Sequence, residues 1–141
     1  MEAPRVPESK DLPFRARLWT RWCDEDNQGV LNNAIYMTLF EEARHRYFGD
    51  LGILVANQFP FLLAQTNVRF VAPGVGGVEV IVELGTTHVG TTSLVQCYRV
   101  REASSGDVWC EAEALLVGWD GEKRTKAAWS SAFRAALARG T

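Results

Sequence analysis

The residues best able to do chemistry are crowded into Trp22–Tyr36, WCDEDNQGVLNNAIY, where Asp24, Glu25 and Asp26 precede a lone Gly29 and the pair Asn32–Asn33. A carboxylate can act on a carbonyl as a nucleophile or as a general base on water, provided donors hold the charge that develops on the carbonyl oxygen. If the asparagines open a helix, its unpaired N–H groups and the positive end of its dipole supply those donors. An acid beside an anion hole points to acyl transfer. Each residue also has a plainer role open to it. Asp26 and Asn27 beside Gly29 suit a turn, Gly29 suits a positive φ as well as close substrate approach, and either asparagine suits an N-cap.

The flanking elements must position this segment. Before it, Phe14, Ala16, Leu18, Thr20 and Trp22 alternate with Arg15, Arg17, Trp19 and Arg21, the period of a half-buried strand. After it, Ile35, Leu39, Phe40, Ala43, Tyr47 and Leu51 recur at helical spacing. The segment therefore joins a strand to a helix. Gly49, Gly52 and Pro60 punctuate the next connection, and Phe61–Ala72 reads as a second strand ending at Pro73–Gly74. Val78, Val80, Val82 and Leu84 line a third strand; Leu94, Tyr98 and Val100 a fourth; Cys110, Ala112, Ala114 and Leu116 a fifth. Gly90 and the run Ser104–Asp107 make the turns between them. Trp129, Ala132, Phe133, Ala136 and Leu137 predict a short tail helix. Consecutive strands joined by turns pair antiparallel, and a long apolar helix needs one face of that sheet. The expected fold class is α+β: a long central helix wrapped by a curved antiparallel five-stranded sheet, with a short C-terminal helix. Residues 14–141 form one domain behind a flexible leader, 1–13.

Composition narrows the partners. With 141 residues, 47% hydrophobic and 23% charged, the chain can bury a core without disulfide or metal staples. A formal charge of -2 argues against broad attachment to nucleic acid. Cys23, Cys97 and Cys110 are widely spaced, with only His45 and His88 to join them, so no metal is expected and the thiols read as reduced. No run approaches a membrane span, and a cytoplasmic location is expected.

The string WCDEDNQGVLNNAIYMTLFEEAR, from Trp22 to Arg44, resembles the signature of the 4-hydroxybenzoyl-CoA thioesterase-like branch of hot-dog acyl-CoA thioesterases. An acid, two spacers, a glycine, an asparagine turn, a tyrosine and an acid-Ala-Arg cluster follow in register, and the likeness extends from about Phe14 to Asp120. The resemblance implies hydrolysis of an acyl-CoA or aroyl-CoA thioester without a cofactor, CoA being part of the substrate. It places the essential aspartate on Asp26, as nucleophile or general base, and the oxyanion donor on the backbone N–H of Asn33. Asp24 falls on a position that shapes the loop, and Glu25 is expected to be solvated. Tyr36 matches an aromatic that walls the acyl pocket or donates its hydroxyl, core packing being its plainer role. Glu41 falls where other hot-dog lineages carry a helix-borne acid and is the replacement base, although its spacing to Arg44 favours an i, i+3 ion pair.

For substrate contacts, the resemblance points to Gly29 and Asn32 and to the turn Gly90, Thr91, Thr92 and Ser93, which meets the pantetheine arm and phosphates. Several relatives place basic residues there. This chain has two threonines, so Lys123, Arg124 and Lys126 become candidates for the missing charge, and an acyl carrier protein remains open as the thioester donor. Asn67, in QTNVRF, is a further candidate to orient water from a strand facing the helix. The resemblance also implies a homodimer or a homotetramer built as a dimer of dimers, with Trp109 and Trp119 as contacts either between sheets or with the tail helix. Two other functions stay open: a non-catalytic acyl-CoA or acyl-carrier-protein binding module, and, third, a hydroxyacyl thioester dehydratase, for which His45 and His88 fit no matching pattern.

Overall fold

The computed structural model describes residues 12–54 and 56–139. β1 (Phe14–Trp19) is followed by a short 3-10 turn (Trp22–Asp24), α1 (Asn33–Asp50), β2 (Phe61–Phe70), β3 (Glu79–Val89), β4 (Ser93–Glu102), β5 (Val108–Asp120), β6 (Thr125–Lys126) and α2 (Ser131–Arg139). The sheet is antiparallel throughout, in the order β1-β3-β4-β5-β2, with the two-residue β6 added on β5. This is the expected helix-in-sheet arrangement; β6 is an addition too short to leave a periodic signal.

α1 runs along the inner face. It buries Tyr36, Leu39, Phe40, Ala43, Tyr47 and Phe48, one stripe of the helix, against Val80, Val82 and Leu84 of β3, Leu94, Tyr98 and Val100 of β4, and Cys110, Ala112, Ala114 and Leu116 of β5. Burial of each large apolar side chain contributes roughly 1.5–3 kcal/mol, which is what fixes the helix over the sheet. α2 is held by aromatic stacking: Trp129 and Phe133 lie 4.6 Å apart and Phe133 reaches Phe48 at 5.8 Å.

Three register shifts interrupt the ladders, one of them between Thr86 and His88 of β3, and the other two re-aim side chains. In β2 the register shifts between Leu63 and Gln65, so Leu63 opposes Leu116 but Thr66, Val68 and Phe70 then oppose the inner residues Ala114, Ala112 and Cys110. Asn67 is thereby turned to the outer face, beside Glu113, Leu115 and Val95, and not toward the helix as simple alternation from Phe61 suggests. A second shift, between Val100 and Arg101 opposite Cys110 and Val108, leaves Trp109 out of the ladder and lets it enter the core. Trp109 is therefore buried, and Trp119 lines a cavity with Trp129 and Phe133 beside the tail helix.

The outer face carries one row of alternating charge across all five main strands. Arg15, Glu83, Arg99, Glu111 and Arg69 are register neighbours, with Glu83, Arg99 and Glu111 buried. Leu12, inside the expected leader, is buried with Cys97; residues 1–11 of that leader lie outside the described residues. Among the described residues no helix is long and apolar enough to cross a membrane.

Candidate active site

The acid-rich segment is a loop pinned at its base. Asp24 is buried and fully occupied: Oδ2 accepts the Arg21 N–H at 2.8 Å, and Oδ1 accepts the Arg21 guanidinium at 2.8 and 3.1 Å. Its carbonyl also accepts the Asn32 N–H at 2.9 Å, tying both ends of the loop together. The same contact holds the Arg21 guanidinium above its ordinary value, through the hydrogen bond to Asp24 first and its charge second. Glu25 is not simply solvated. It is half-buried, and its Oε2 accepts the Gly76 N–H at 2.9 Å, fixing the loop to the approach to β3.

Asp26 opens the exposed tip. Its Oδ1 accepts the N–H of Gln28 at 2.8 Å and of Val30 at 3.4 Å, while backbone bonds from Asp26 N–H to Val30 and from Gly29 N–H to Asp26 close the turn. Gly29 has φ 75, the left-handed conformation that disfavours other residues. Thus one carboxylate oxygen is anchored by the backbone. The other, Oδ2, takes no hydrogen bond among the described residues and is presented to solvent.

The loop delivers the chain to the start of α1. Asn32 is the N-cap: its side chain accepts the Ala34 N–H at 2.9 Å, and its carbonyl accepts that of Ile35. The next residue, Asn33, is exposed, and its N–H has no acceptor among the described residues. One asparagine caps and the other leaves its amide open. Tyr36, one turn further, is buried in the core, its ring 5.6 Å from Phe70. Burial, with a smaller contribution from Cys110, pushes its hydroxyl to about 12, partly opposed by the Gly74 N–H. Gly74 in turn accepts the Leu31 N–H at 2.9 Å, so Tyr36, Gly74 and the loop exit form one packed unit.

The remaining candidates are not gathered at this point. Glu41 is two turns along α1, exposed, on the rim of a cavity of about 220 Å³ between α1 and β2. The expected Glu41–Arg44 ion pair is not formed among the described residues; the pair on this helix is Arg46–Glu42 at 3.2 Å. Arg44 instead turns inward, buried, 5.6 Å over the Tyr98 ring. Asn67, on the outer face, belongs to no common site with Asp26. Gly90–Ser93 form the β3–β4 turn, closed by Gly90 N–H to Ser93 at 2.7 Å. Its carbonyls are taken by the Trp129 and Gly118 amides and by the Trp129 indole, whereas the N–H groups of Thr91 and Thr92 have no acceptor among the described residues.

A basic residue does stand at this turn, and sequence reading missed it. The Arg134 guanidinium donates to the Gly90 carbonyl at 2.7 Å, carried there by α2. Only the tail helix's docking brings it close, so no local spacing announces it. Asp26 and this turn lie at opposite ends of β3, because Thr20 bonds Val78 at its start. β3 has 11 residues, roughly 35 Å at strand rise. His45 pairs with the Asn57 side chain at 2.8 Å, and His88 is exposed.

Chemically, the loop and helix start offer an open carboxylate oxygen and an open amide donor within eight residues. The family model of the thioesterase-like superfamily matches residues 18–137. Among solved structures, the chain is similar to a thioesterase complexed with coenzyme A and Zn from Thermus thermophilus, at 27% identity, 93% and 96% coverage of this chain and that one, and a TM-score of 0.83. It also shares its fold with a 1,4-dihydroxy-2-naphthoyl-CoA thioesterase from Synechocystis, at 20% identity, 89% and 95% coverage, and a TM-score of 0.79. No curated protein matches the sequence.

Proposed function

The chain belongs to the thioesterase-like superfamily, and from that premise we propose that it hydrolyses an acyl or aroyl thioester of coenzyme A to the free acid and CoA. The observation that carries the reading is that Asp26 Oδ2, on the loop, and the Asn33 N–H, at the first residue of α1, are both left without a partner among the described residues, an acid and a donor seven residues apart. The thioester carbonyl oxygen sits against the Asn33 N–H, where a lost donor typically costs roughly 3 kcal/mol of transition-state stabilisation. Asp26 then acts by one of two balanced routes. Its oxygen adds to the carbonyl carbon and expels thiolate, leaving an anhydride that water opens; or it takes a proton from a water whose oxygen adds and expels the thiolate directly. Asp24 and Glu25 hold the loop and take no part in either.

The CoA end is bound through the Thr91 and Thr92 amides, with Arg134 as the nearby cation. Since that turn and Asp26 are at opposite ends of β3, a complete site needs a second copy. β2 is a ten-residue edge strand that exposes its own Leu62, Leu63 and Phe70, with Val71 exposed just after it. Two-fold pairing of β2 with its copy puts the Asp26 end of one subunit and the Gly90 turn of the other at the same end of the joined sheet. Mass measured by light scattering tests this; a monomer at micromolar concentration contradicts it.

The activity is tested by following thiol release over short-chain, long-chain and aromatic CoA thioesters and their carrier-protein counterparts. Turnover of at least one CoA thioester is expected. No turnover across the panel, with retained binding, overturns hydrolysis in favour of a binding module. A single turnover in isotopically labelled water tests for the anhydride: an unlabelled first acid with the label retained on Asp26 requires it, because water has then opened the anhydride at the Asp26 carbonyl carbon, whereas direct attack by water leaves Asp26 unlabelled.

A further inference from the structure

Arg44 is a buried cation with no anion. It is 5% exposed, yet no carboxylate lies within 4.0 Å of it among the described residues, and its buried Nε has no hydrogen-bond partner. Its close polar neighbour among the described residues is Tyr98, whose ring lies under the guanidinium at 5.6 Å and whose hydroxyl it meets through charge and a hydrogen bond, neutral contacts that leave Nε unpartnered. The Tyr98 hydroxyl donates to Gln96 at 2.6 Å, and burial pushes it to about 12, so it offers Arg44 no negative charge near neutral pH. A permanently charged guanidinium cannot escape by losing its proton. A buried charge without a counter-charge is costly, and an apolar residue of similar volume would fill this place at less cost.

Arg44 lines the cavity of about 220 Å³ between α1, β2 and β5, with Met37, Phe40, Leu63 and Ala114 as apolar walls and Glu41 at the rim. That volume lies below the range usual for drug-sized ligands and suits one small group. We infer that this cavity is an acyl-end pocket in which Arg44 pairs with an anionic oxygen, so that the preferred thioesters carry an acidic group, a carboxylate above all, at the far end of the acyl chain. This rests on the thioesterase reading above. Asn33, Met37 and Arg44 follow one another along the same helix, and Arg44 stands roughly 16 Å beyond Asn33 at helical rise, with side chains leaning back toward the helix start. An acyl group of medium length can span from the open amide to the guanidinium; acetyl cannot.

Non-hydrolysable CoA thioethers in matched pairs provide the test: carboxypropyl against butyl, carboxypentyl against hexyl and carboxyheptyl against octyl, measured by calorimetry on the unaltered protein, Arg44→Met and Arg44→Lys. At one length or more the carboxylated ligand is expected to bind at least about tenfold more tightly than its uncharged partner, as a desolvated charge pair does. Arg44→Met should abolish that preference while unfolding at the same temperature or higher, and Arg44→Lys should keep part of it. Equal or tighter binding of the uncharged ligand at every length, or a carboxylate preference surviving in Arg44→Met, overturns the inference. Should Arg44→Met fail to fold, the matched pairs on the unaltered protein still decide. Turnover of the corresponding thioesters separates the two readings: equal hydrolysis of charged and uncharged chains keeps the thioesterase and removes the pocket's role. Carboxylate-selective binding without any turnover does the reverse.

Discussion

Gly74→Ala should be among the most disruptive single-methyl changes near the loop. A Cβ there would lie 2.5 and 2.9 Å from two Trp109 ring carbons and 2.8 Å from the Tyr36 hydroxyl, where ordinary contacts begin near 3.4 Å. Neither neighbour can swing aside, since Trp109 is 4% and Tyr36 2% exposed. Overpacking of this kind costs roughly 1–3 kcal/mol, and two rigid rings place Gly74 toward the upper end. The displacement passes to the site by two routes, through Tyr36 at the first turn of α1 and through the Gly74 carbonyl that holds Leu31. Urea unfolding and thiol release should therefore both report the change. Tyr36→Phe in the same background removes one clashing atom, so the double variant should recover part of the loss, a coupling visible in a double-mutant cycle. Gly49→Ala is the control of opposite sign: it lies in α1, its Cβ would meet only Leu54 at 3.8 Å, and a helical Gly→Ala change stabilises by up to about 1 kcal/mol. A Gly74→Ala variant as stable as the unaltered protein would refute the packing argument.

The other perturbations follow from buried charge and buried neutral acids. Arg99 bridges Glu83 at 3.8 Å and Glu111 at 3.6 Å, so Arg99→Ala should cost about 3 kcal/mol in urea unfolding, Arg15, Arg69 and Arg101 offsetting the rest. Replacing Glu83, Arg99 and Glu111 together by leucine should be close to neutral; an equally large loss would contradict the assignment of the penalty to unpaired charge. Cys110, pushed by burial to about 12 from 9.0, and Tyr36, pushed to about 12 from 10.0, are both neutral acids whose folded values are raised. Their contribution is intact below the unfolded values and is lost as pH climbs toward the folded ones, so stability should fall between pH 9 and 12 and fall less in Cys110→Ala. In the native protein one thiol, Cys23, should react rapidly with a disulfide reagent and all three only after unfolding; fast native reaction of Cys110 would count against its burial.

Much of this fold was legible because periodicity survives in long elements. The α1 stripe read as Ile35 to Leu51 and the alternation of Val80, Val82 and Leu84 each record one buried face, so helix and strands could be placed without tertiary information. In that stripe the middle residues Leu39, Phe40, Ala43 and Tyr47 are buried, while Ile35 and Leu51 are only partly so. The loop was legible for a different reason: Asp26, Gly29 and Asn32 have local backbone roles, a turn, a positive φ and a cap, that depend on neighbours in sequence. Illegible were features set by one extra residue or by distant packing. The bulge after Leu63 reverses Asn67, and the one at Trp109 carries an indole inward. The i, i+3 spacing of Glu41 and Arg44 permits an ion pair, but the inner face claims Arg44 and leaves Glu41 in solvent. Arg134 reaches the Gly90 turn only because aromatic packing docks α2 there.

The central claim is that Asp26, alone among the three clustered acids, performs the hydrolysis. The most direct measurement is kcat/KM for thiol release by Asp26→Asn beside the unaltered protein, on whichever CoA thioester the latter turns over best. Asparagine keeps an oxygen to accept the Gln28 and Val30 amides but lacks the basic, nucleophilic carboxylate. A fall of about a hundredfold or more, with the unfolding midpoint unchanged, is predicted for loss of a general base or nucleophile. Turnover within a few-fold of the unaltered protein would contradict the assignment.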